Sequence, residues 1–309
     1  MRIYATAIGD INLDIITSKL RDFPERDAQL LIKNITLTSG GCAANFAKAL
    51  SILGLKTRLI GKVGNDIFSK FVLNSLTKVD LKISRDEKTA STIAIPFYDN
   101  TRAFLTYTGA NSKFSIENIN FKDIQGYYLH IASFFLQGLR KNTFKILNYA
   151  HSKGMITTFD TGWDPKGWSE KDIKLLRKIL SRVDIFFPNF REGQKIANEN
   201  TKEKICNKLL SFGPKIIALK LGKKGSYIAT KNERIFIPVF KVRPVDTTGA
   251  GDVFDAAFVF GHFKKWSLEK IGNFANAAAA LSTLGYGSEK YPTFKEVNKF
   301  LNEKWKVKK

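Results

Sequence analysis

Short apolar runs bounded by turn residues alternate along this chain with stretches whose apolar residues recur at helical spacing. Ile3–Ile8 predicts a buried strand that stops at Gly9. Ala43–Leu53 keeps its apolar residues at helical intervals and ends at Gly54, a natural helix C-cap. Thr57–Ile60 reads as a strand, followed by Gly61-Lys62-Val63-Gly64-Asn65-Asp66 and a helix from Ile67. Tyr127–Ile131, Ile156–Phe159, Ile185–Phe187 and Ile216–Leu219 are further short buried strands. Helical stretches near 139–152, 170–181, 191–199 and 201–211 separate them, and the chain closes on helices near 250–264, 268–284 and 293–303. Strands alternating with helices predict an α/β fold built on a mostly parallel sheet.

Two segments break that rhythm. Residues 11–38 and 89–108 carry strand-like runs (Gln29–Ile35, Thr92–Phe97, Ala103–Thr108) with no helix between them. They predict a small antiparallel sheet inserted into the larger domain, which then comprises 1–10, 39–88 and 109–309. The competing arrangement makes the same runs edge strands of the main sheet.

Composition changes this picture little. With 309 residues, 44% hydrophobic and 25% charged, the chain can bury a sizeable core. Charge matters more: 50 Lys+Arg against 28 Asp+Glu give a formal +22, which draws phosphorylated small molecules, nucleic acid or acidic membranes. The lysines are spread out, and the densest run, Lys304 to Lys309, is terminal. A solvated basic surface is therefore expected, with no specific nucleic-acid reader. No apolar run approaches eighteen residues, and Asp10 and Asp14 interrupt any signal-like start, so neither a membrane span nor export is expected. Cys42 and Cys206, with His130, His151 and His262, form no metal-ligand or disulfide spacing. A cytoplasmic location follows from these expectations.

The strongest local chemistry lies in Asp246-Thr247-Thr248-Gly249-Ala250-Gly251-Asp252. A Gly-Ala-Gly turn opening a helix leaves backbone N–H groups free to hold an anion, as phosphoryl transfer requires. Asp252 at its edge has the placement of a general base, although the same residues would also serve as a capped glycine turn. No G-x-x-x-x-G-K-[ST] sequence exists, which excludes a P-loop nucleotide site, and Phe254 breaks a dinucleotide fingerprint. Gly40-Gly41-Cys42-Ala43-Ala44-Asn45 opens the first long helix with small residues that admit a ligand to the backbone. Asn189 and Glu192, in Pro188-Asn189-Phe190-Arg191-Glu192 after a buried strand, suit either a helix cap or a water-mediated Mg²⁺ site.

Together these motifs resemble the PfkB (ribokinase-like) family of carbohydrate and nucleoside kinases, in order and over nearly the whole chain. Gly9-Asp10-Ile11-Asn12-Leu13-Asp14 is similar to the family's opening G-x-x-N-x-D, and Ser39–Asn45 to its first signature. Gly61–Asp66 resembles its G-x-V-G-x-D turn, Asn189–Glu192 its N-x-x-E, and Lys220-Leu221-Gly222-Lys223-Lys224-Gly225 its nucleotide-side glycine hairpin. Asp246–Asp252 resembles its second signature, D-T-x-G-A-G-D. The resemblance implies a three-layer α/β/α fold with a small β-sheet lid that often makes a homodimer. It implies Asp252 as base and Gly249, Ala250 and Gly251 as the anion hole. Asn12, Asp14, Gly40, Gly41 and Asn45 would bind the acceptor, with Arg102 reaching it from the lid. Asn189, Lys220, Gly222, Gly225 and Asn276 would hold ATP, and Asn189 and Glu192 would hold Mg²⁺ through water. A monovalent cation near Asp246 and Thr248 belongs to the same analogy.

After Asp252 the chain departs from the family pattern with Val253-Phe254-Asp255, and Asp255 is expected to cap the helix or pair with a lysine. The expected reaction is ATP-dependent phosphorylation of a primary alcohol of a small sugar. A nucleoside acceptor is the alternative within the family. A non-catalytic sugar- or nucleic-acid-binding protein on the same scaffold is the alternative outside it.

Overall fold

A computed structural model describes residues 2–99 and 101–306. The basic run at 304–309 extends beyond them. The main sheet has nine strands: β1 (Ala5–Ile8), β4 (Thr57–Gly64), β5 (Asp80–Asp86), β8 (Tyr128–Ile131), β9 (Ile156–Phe159), β10 (Ile185–Phe186), β11 (Ile216–Lys220), β12 (Gly225–Thr230) and β13 (Arg234–Pro238). Their spatial order is β13-β12-β11-β10-β9-β8-β1-β4-β5. All pairs are parallel except β11–β12 and β12–β13, which form an antiparallel edge. The expected buried runs are buried on both faces, so neighbouring residues of one strand serve different cores. Ile185 packs in one core and Phe186 in the other.

One core lies against α1 (Cys42–Ile52), α8 (Ala250–Phe263), α9 (Leu268–Ser282) and α10 (Phe294–Lys306). The other lies against α4 (Thr143–Ser152), α5 (Glu170–Leu180), α6 (Phe190–Ala197) and α7 (Lys202–Leu210). The remaining α-helices among the described residues are α2 (Ile67–Asn74) and α3 (Gly109–Ser112). This is the expected three-layer arrangement, and α2 starts where Asp66 caps it by accepting from the Ser69 N–H at 2.9 Å.

The two rhythm-breaking segments form a separate four-stranded sheet of order β3-β2-β6-β7, from β2 (Asn12–Thr17), β3 (Ile35–Gly40), β6 (Ala90–Pro96) and β7 (Arg102–Tyr107). It is mixed rather than antiparallel throughout, because β2 and β6 run parallel. The expected strand over Gln29–Ile35 is displaced: residues 29–34 have no strand pairing, and the strand begins at Ile35. Leu30 and Leu31 suggested a strand, yet they are exposed, Leu31 by 86%. Pairing of Asn12 with Gly40 and Thr17 with Ile35 sets the register instead, so β3 runs past the expected boundary at 38 straight into α1.

The strand order puts β1 between β4 and β8, so the chain leaves β1 toward one side and later returns on the other. The crevice beyond the carboxyl ends of β1 and β8 is the topological switch point, where open α/β sheets bind ligands. Gly9-Asp10 and Ala132-Ser133 leave their strands there, and the small sheet rises from the same edge.

Candidate active site

Asp252 sits in the first turn of α8, 7% exposed, with Gly249 as the preceding cap residue. The Asn45 amide of α1 donates to Asp252 Oδ2 at 2.9 Å. Two motifs 207 positions apart thus meet in one hydrogen bond. Burial raises the Asp252 pKa to about 8, and Asp160 and Asp10 add to the effect against the Asn45 bond and Lys220. Gly249 has φ +74°, a left-handed conformation that glycine adopts without a Cβ penalty. The N–H of Ala250 makes only a long 3.4 Å contact to the Thr247 carbonyl, so the start of α8 retains donor capacity.

Asp14 lies on β2, 6% exposed, in the space that Gly40 leaves by lacking a side chain. Burial, with Asp10 and Asp246 nearby, lifts its pKa to about 7. Asn12 is fixed by Asn111, whose amide donates to Asn12 Oδ1 at 2.6 Å. Gly41, at φ +95°, approaches the Asp10 backbone too closely for any side chain. Asp10 receives the Ala43 N–H at 3.1 Å and pins α1 to the end of β1.

The inner face of the small sheet carries a cross-strand polar row. Thr38 pairs with Asp14, Asp14 with Thr92 and Thr92 with Thr106, the last two hydroxyls 3.1 Å apart. The outer face carries the apolar row Leu37, Ile15, Ile93 and Leu105. Arg102, expected at the acceptor, donates to Thr248 Oγ1 at 3.2 Å and lies 3.9 Å from Asp246. It ties β7 to the residues before the glycine turn. Asp246 is itself closed on Thr248, which donates its N–H (3.0 Å) and hydroxyl (2.9 Å), and on the Gly287 N–H (2.9 Å).

Lys220 ends β11, but its ammonium points inward, 2.6 Å from Asp160 and 3.1 Å from Asp255. Burial opposes its charge, yet Asp160, Asp255 and Glu192 together raise its pKa well above the usual lysine value. A Cβ on Gly251 would stand 3.5 Å from this nitrogen, so the ammonium lies directly behind the glycine turn. The expected pairing of Asp255 with a lysine is thus present. Asp160, at the end of β9, has no adjacent motif in the sequence. Its place after a buried strand, at the ligand-binding edge, was the signal that could have found it.

Asn189 and Glu192 form a reciprocal cap: Asn189 accepts the Glu192 N–H at 3.0 Å, and Glu192 Oε2 accepts the Asn189 N–H at 2.8 Å. Burial, then Asp160, raises the Glu192 pKa to about 8. The cap reading of this pair is the one observed, and the cap holds the carboxyl in place at the sheet edge. No group of three or more acidic, His or Cys side chains among the described residues could grip a metal directly. An ion here fits only with few protein carboxylates and its own waters, the preference of Mg²⁺. Asn276 spends its amide on the carbonyls of Ile237 (3.0 Å) and Pro238 (3.1 Å), fixing α9 to the end of β13. Gly225 is packed against Ile237 and Pro238, while Gly222 faces open space.

A mostly parallel sheet, a second small sheet rising beside its switch point and a buried aspartate at a glycine-opened helix form an arrangement suited to phosphoryl transfer. The family is settled by comparison: residues 2–293 match the model of the pfkB family carbohydrate kinases, and the chain belongs to that family. An ATP-dependent ribose-1-phosphate kinase of Halopiger xanaduensis is 30% identical, over 96% of this chain and 97% of its own. A 5-dehydro-2-deoxygluconokinase of Clostridium perfringens is 26% identical, over 88% and 86%. An Escherichia coli chain described as a ribokinase II, solved in complex with ATP and Mg²⁺, superposes with a TM-score of 0.87 at 24% identity, over 97% and 99% of the two chains. The protein is therefore a kinase of the carbohydrate type.

Proposed function

We propose that the chain transfers the γ-phosphoryl group of ATP to a primary alcohol of a small sugar or sugar acid, with Asp252 as base. The observation that carries the sugar reading is the polar row Thr38–Asp14–Thr92–Thr106 on the lid's inner face. A nucleobase calls for an aromatic platform. The aromatic on that face of the strands, Phe104, is 52% exposed and lies under the Arg102 guanidinium. Hydroxyls and carboxylates match sugar oxygens instead.

In this reading Asp14, Asn12 and the Gly40-Gly41 backbone orient the acceptor. Asn45 holds Asp252 Oδ2, which leaves the other oxygen to take the proton of the attacking hydroxyl. The N–H groups of Gly249, Ala250 and Gly251 stabilise charge on the transferred group, with the Lys220 ammonium behind them. Asn189, Glu192 and the hairpin at Gly222–Gly225 face the nucleotide. Bound Mg²⁺ supplies charge neutralisation on the phosphates, and Glu192 would hold it through water. Segments 11–38 and 89–108 act as the lid, and the exposed outer row around Leu37 and Leu105 suits pairing of two lids in a homodimer.

The test is an ATP-consumption screen with D-fructose, D-ribose, D-gluconate, ribose 1-phosphate and adenosine. Turnover of one or more of the carbohydrates is expected. Turnover of adenosine alone would replace the sugar reading with the nucleoside one. No turnover of any acceptor, with salt-dependent RNA binding, would replace it with a non-catalytic role.

A further inference from the structure

Tyr291 belongs to no motif and to none of the roles assigned above, yet its side chain stands in the acceptor site. It lies in the irregular segment after α9 and is 7% exposed. Its hydroxyl is buried and has no hydrogen-bonding partner among the described residues. It lies 2.8 Å from the point where a Cβ on Gly249 would stand, and the Asn45 amide nitrogen lies 3.2 Å from that same point. Asp252, Asp14, Cys42 and Asp246 are all close enough to act on the phenol electrostatically. The hydroxyl therefore lies at the glycine turn beside the Asn45 amide, within electrostatic reach of both Asp14 and Asp252.

The surroundings fix this residue without using its hydroxyl. Gly287 donates to Asp246, and Ser288 donates its N–H to Thr38 Oγ1 at 3.1 Å. The Ser288 hydroxyl lies 2.7 Å from that of Ser39 and accepts from the Lys48 ammonium at 3.2 Å. Lys48 also lies 5.8 Å from the centre of the Tyr291 ring. The loop is thus anchored to the lid strand, to α1 and to the residues before the glycine turn. A buried hydroxyl without a partner destabilises a folded chain, and phenylalanine would fill the same space without that cost. The expense is explained if a ligand oxygen completes the bond.

We propose that Tyr291 is a specificity-determining residue whose hydroxyl hydrogen-bonds an oxygen of a polyhydroxylated acceptor next to the one that Asp252 deprotonates. This rests on the kinase reading given above. Gly249 is then required twice, for its backbone conformation and to leave room for the phenol.

The experiment compares wild type with Tyr291→Phe. Steady-state kinetics are run on every carbohydrate of the screen, and calorimetric titration uses D-fructose, D-ribose, D-gluconate and ribose 1-phosphate. Expected is an acceptor KM and Kd raised about tenfold, as for loss of one buried hydrogen bond. The KM for ATP should be unchanged and kcat within about twofold. The ligand-free Tm should be equal or higher, because the ring is kept and only an unpartnered group is removed. An unchanged acceptor KM in a variant that turns over normally would overturn the proposal while leaving the kinase reading intact. A lowered ligand-free Tm would assign the hydroxyl a structural role and also overturn it. A fall in kcat with unchanged KM would move it to the transferred phosphoryl group, again against the proposal. Wild type that binds and phosphorylates none of these carbohydrates would refute the proposed sugar reading, and this inference with it.

Discussion

Asp252 and Asp255 stand one turn apart on α8, both buried, yet they belong to different electrostatic regions. Asp252 faces the cleft and has one uncharged partner, the Asn45 amide. Asp255 faces β9 and β11, is fully buried and lies 3.1 Å from the Lys220 ammonium, which it shares with Asp160. Burial raises the pKa of both carboxyls, that of Asp255 even against Lys220, but only the cleft-facing Asp252 is placed to exchange its proton with a substrate. A carboxyl locked to a buried ammonium is suited to hold that ammonium in place. Spacing of i and i+3 puts both on adjoining faces of the helix, so the difference comes from what each face meets.

The largest effect should come from breaking the locked region. Lys220→Met leaves Asp160 and Asp255 buried without their cation and should cost about 3–5 kcal/mol of stability. Urea denaturation measures it, and adding Asp255→Asn should restore part of the loss. A Lys220→Met protein as stable as wild type would show that the two regions are not distinct. On the other side, Asp252→Asn should lower kcat by at least about 10²-fold, with no loss of Tm. Near-normal turnover in the folded variant would remove Asp252 as base.

The same contrast has a pH signature. A base with a free-enzyme pKa of about 8 makes kcat/KM rise with pH up to that value and then level off. Stability should move the opposite way. Asp252 binds its proton more tightly folded (about 8) than unfolded (3.8), so its contribution is fully present below about pH 4 and is lost as pH rises toward 8. Asp252→Asn should flatten that slope, and denaturation curves across pH 4–8 would show it. The smallest effect belongs to the lid tie: Arg102→Ala should cost within about 1 kcal/mol, since its side chain is 31% exposed. Faster amide exchange in β7 would register it; unchanged exchange would mean that Arg102 does not hold the lid.

Much of the fold was legible because strands buried on both faces write themselves as short apolar runs, and β1, β9 and β11 fall where those runs lie. The small sheet was legible only as a break in rhythm. Its strand β3 was misplaced because Leu30 and Leu31 are apolar without being buried, while the true strand, Ile35–Gly40, alternates exposed apolar residues with threonines. In the site, contiguous motifs announced Asp252, Asn45 and the capped Asn189–Glu192 pair. Asp160 and Tyr291 did not announce themselves, since each acts alone from a loop and acquires its neighbours only through the tertiary fold. Lys220 was foreseen on the nucleotide side, but its two aspartate partners, which decide where its charge points, come from β9 and α8.

The protonated resting state of Asp252 bears on how the enzyme spends ATP when no acceptor is present. With a ligand-free pKa of about 8, only the minor ionised fraction of Asp252 can take a proton at neutral pH, whether from water or from an acceptor. Futile hydrolysis and productive transfer should therefore rise together with pH up to about 8, so discrimination between water and acceptor must come from how the acceptor is oriented. An acceptor-free ATPase rate that stays flat from pH 6 to 9 would show that the leak is controlled elsewhere.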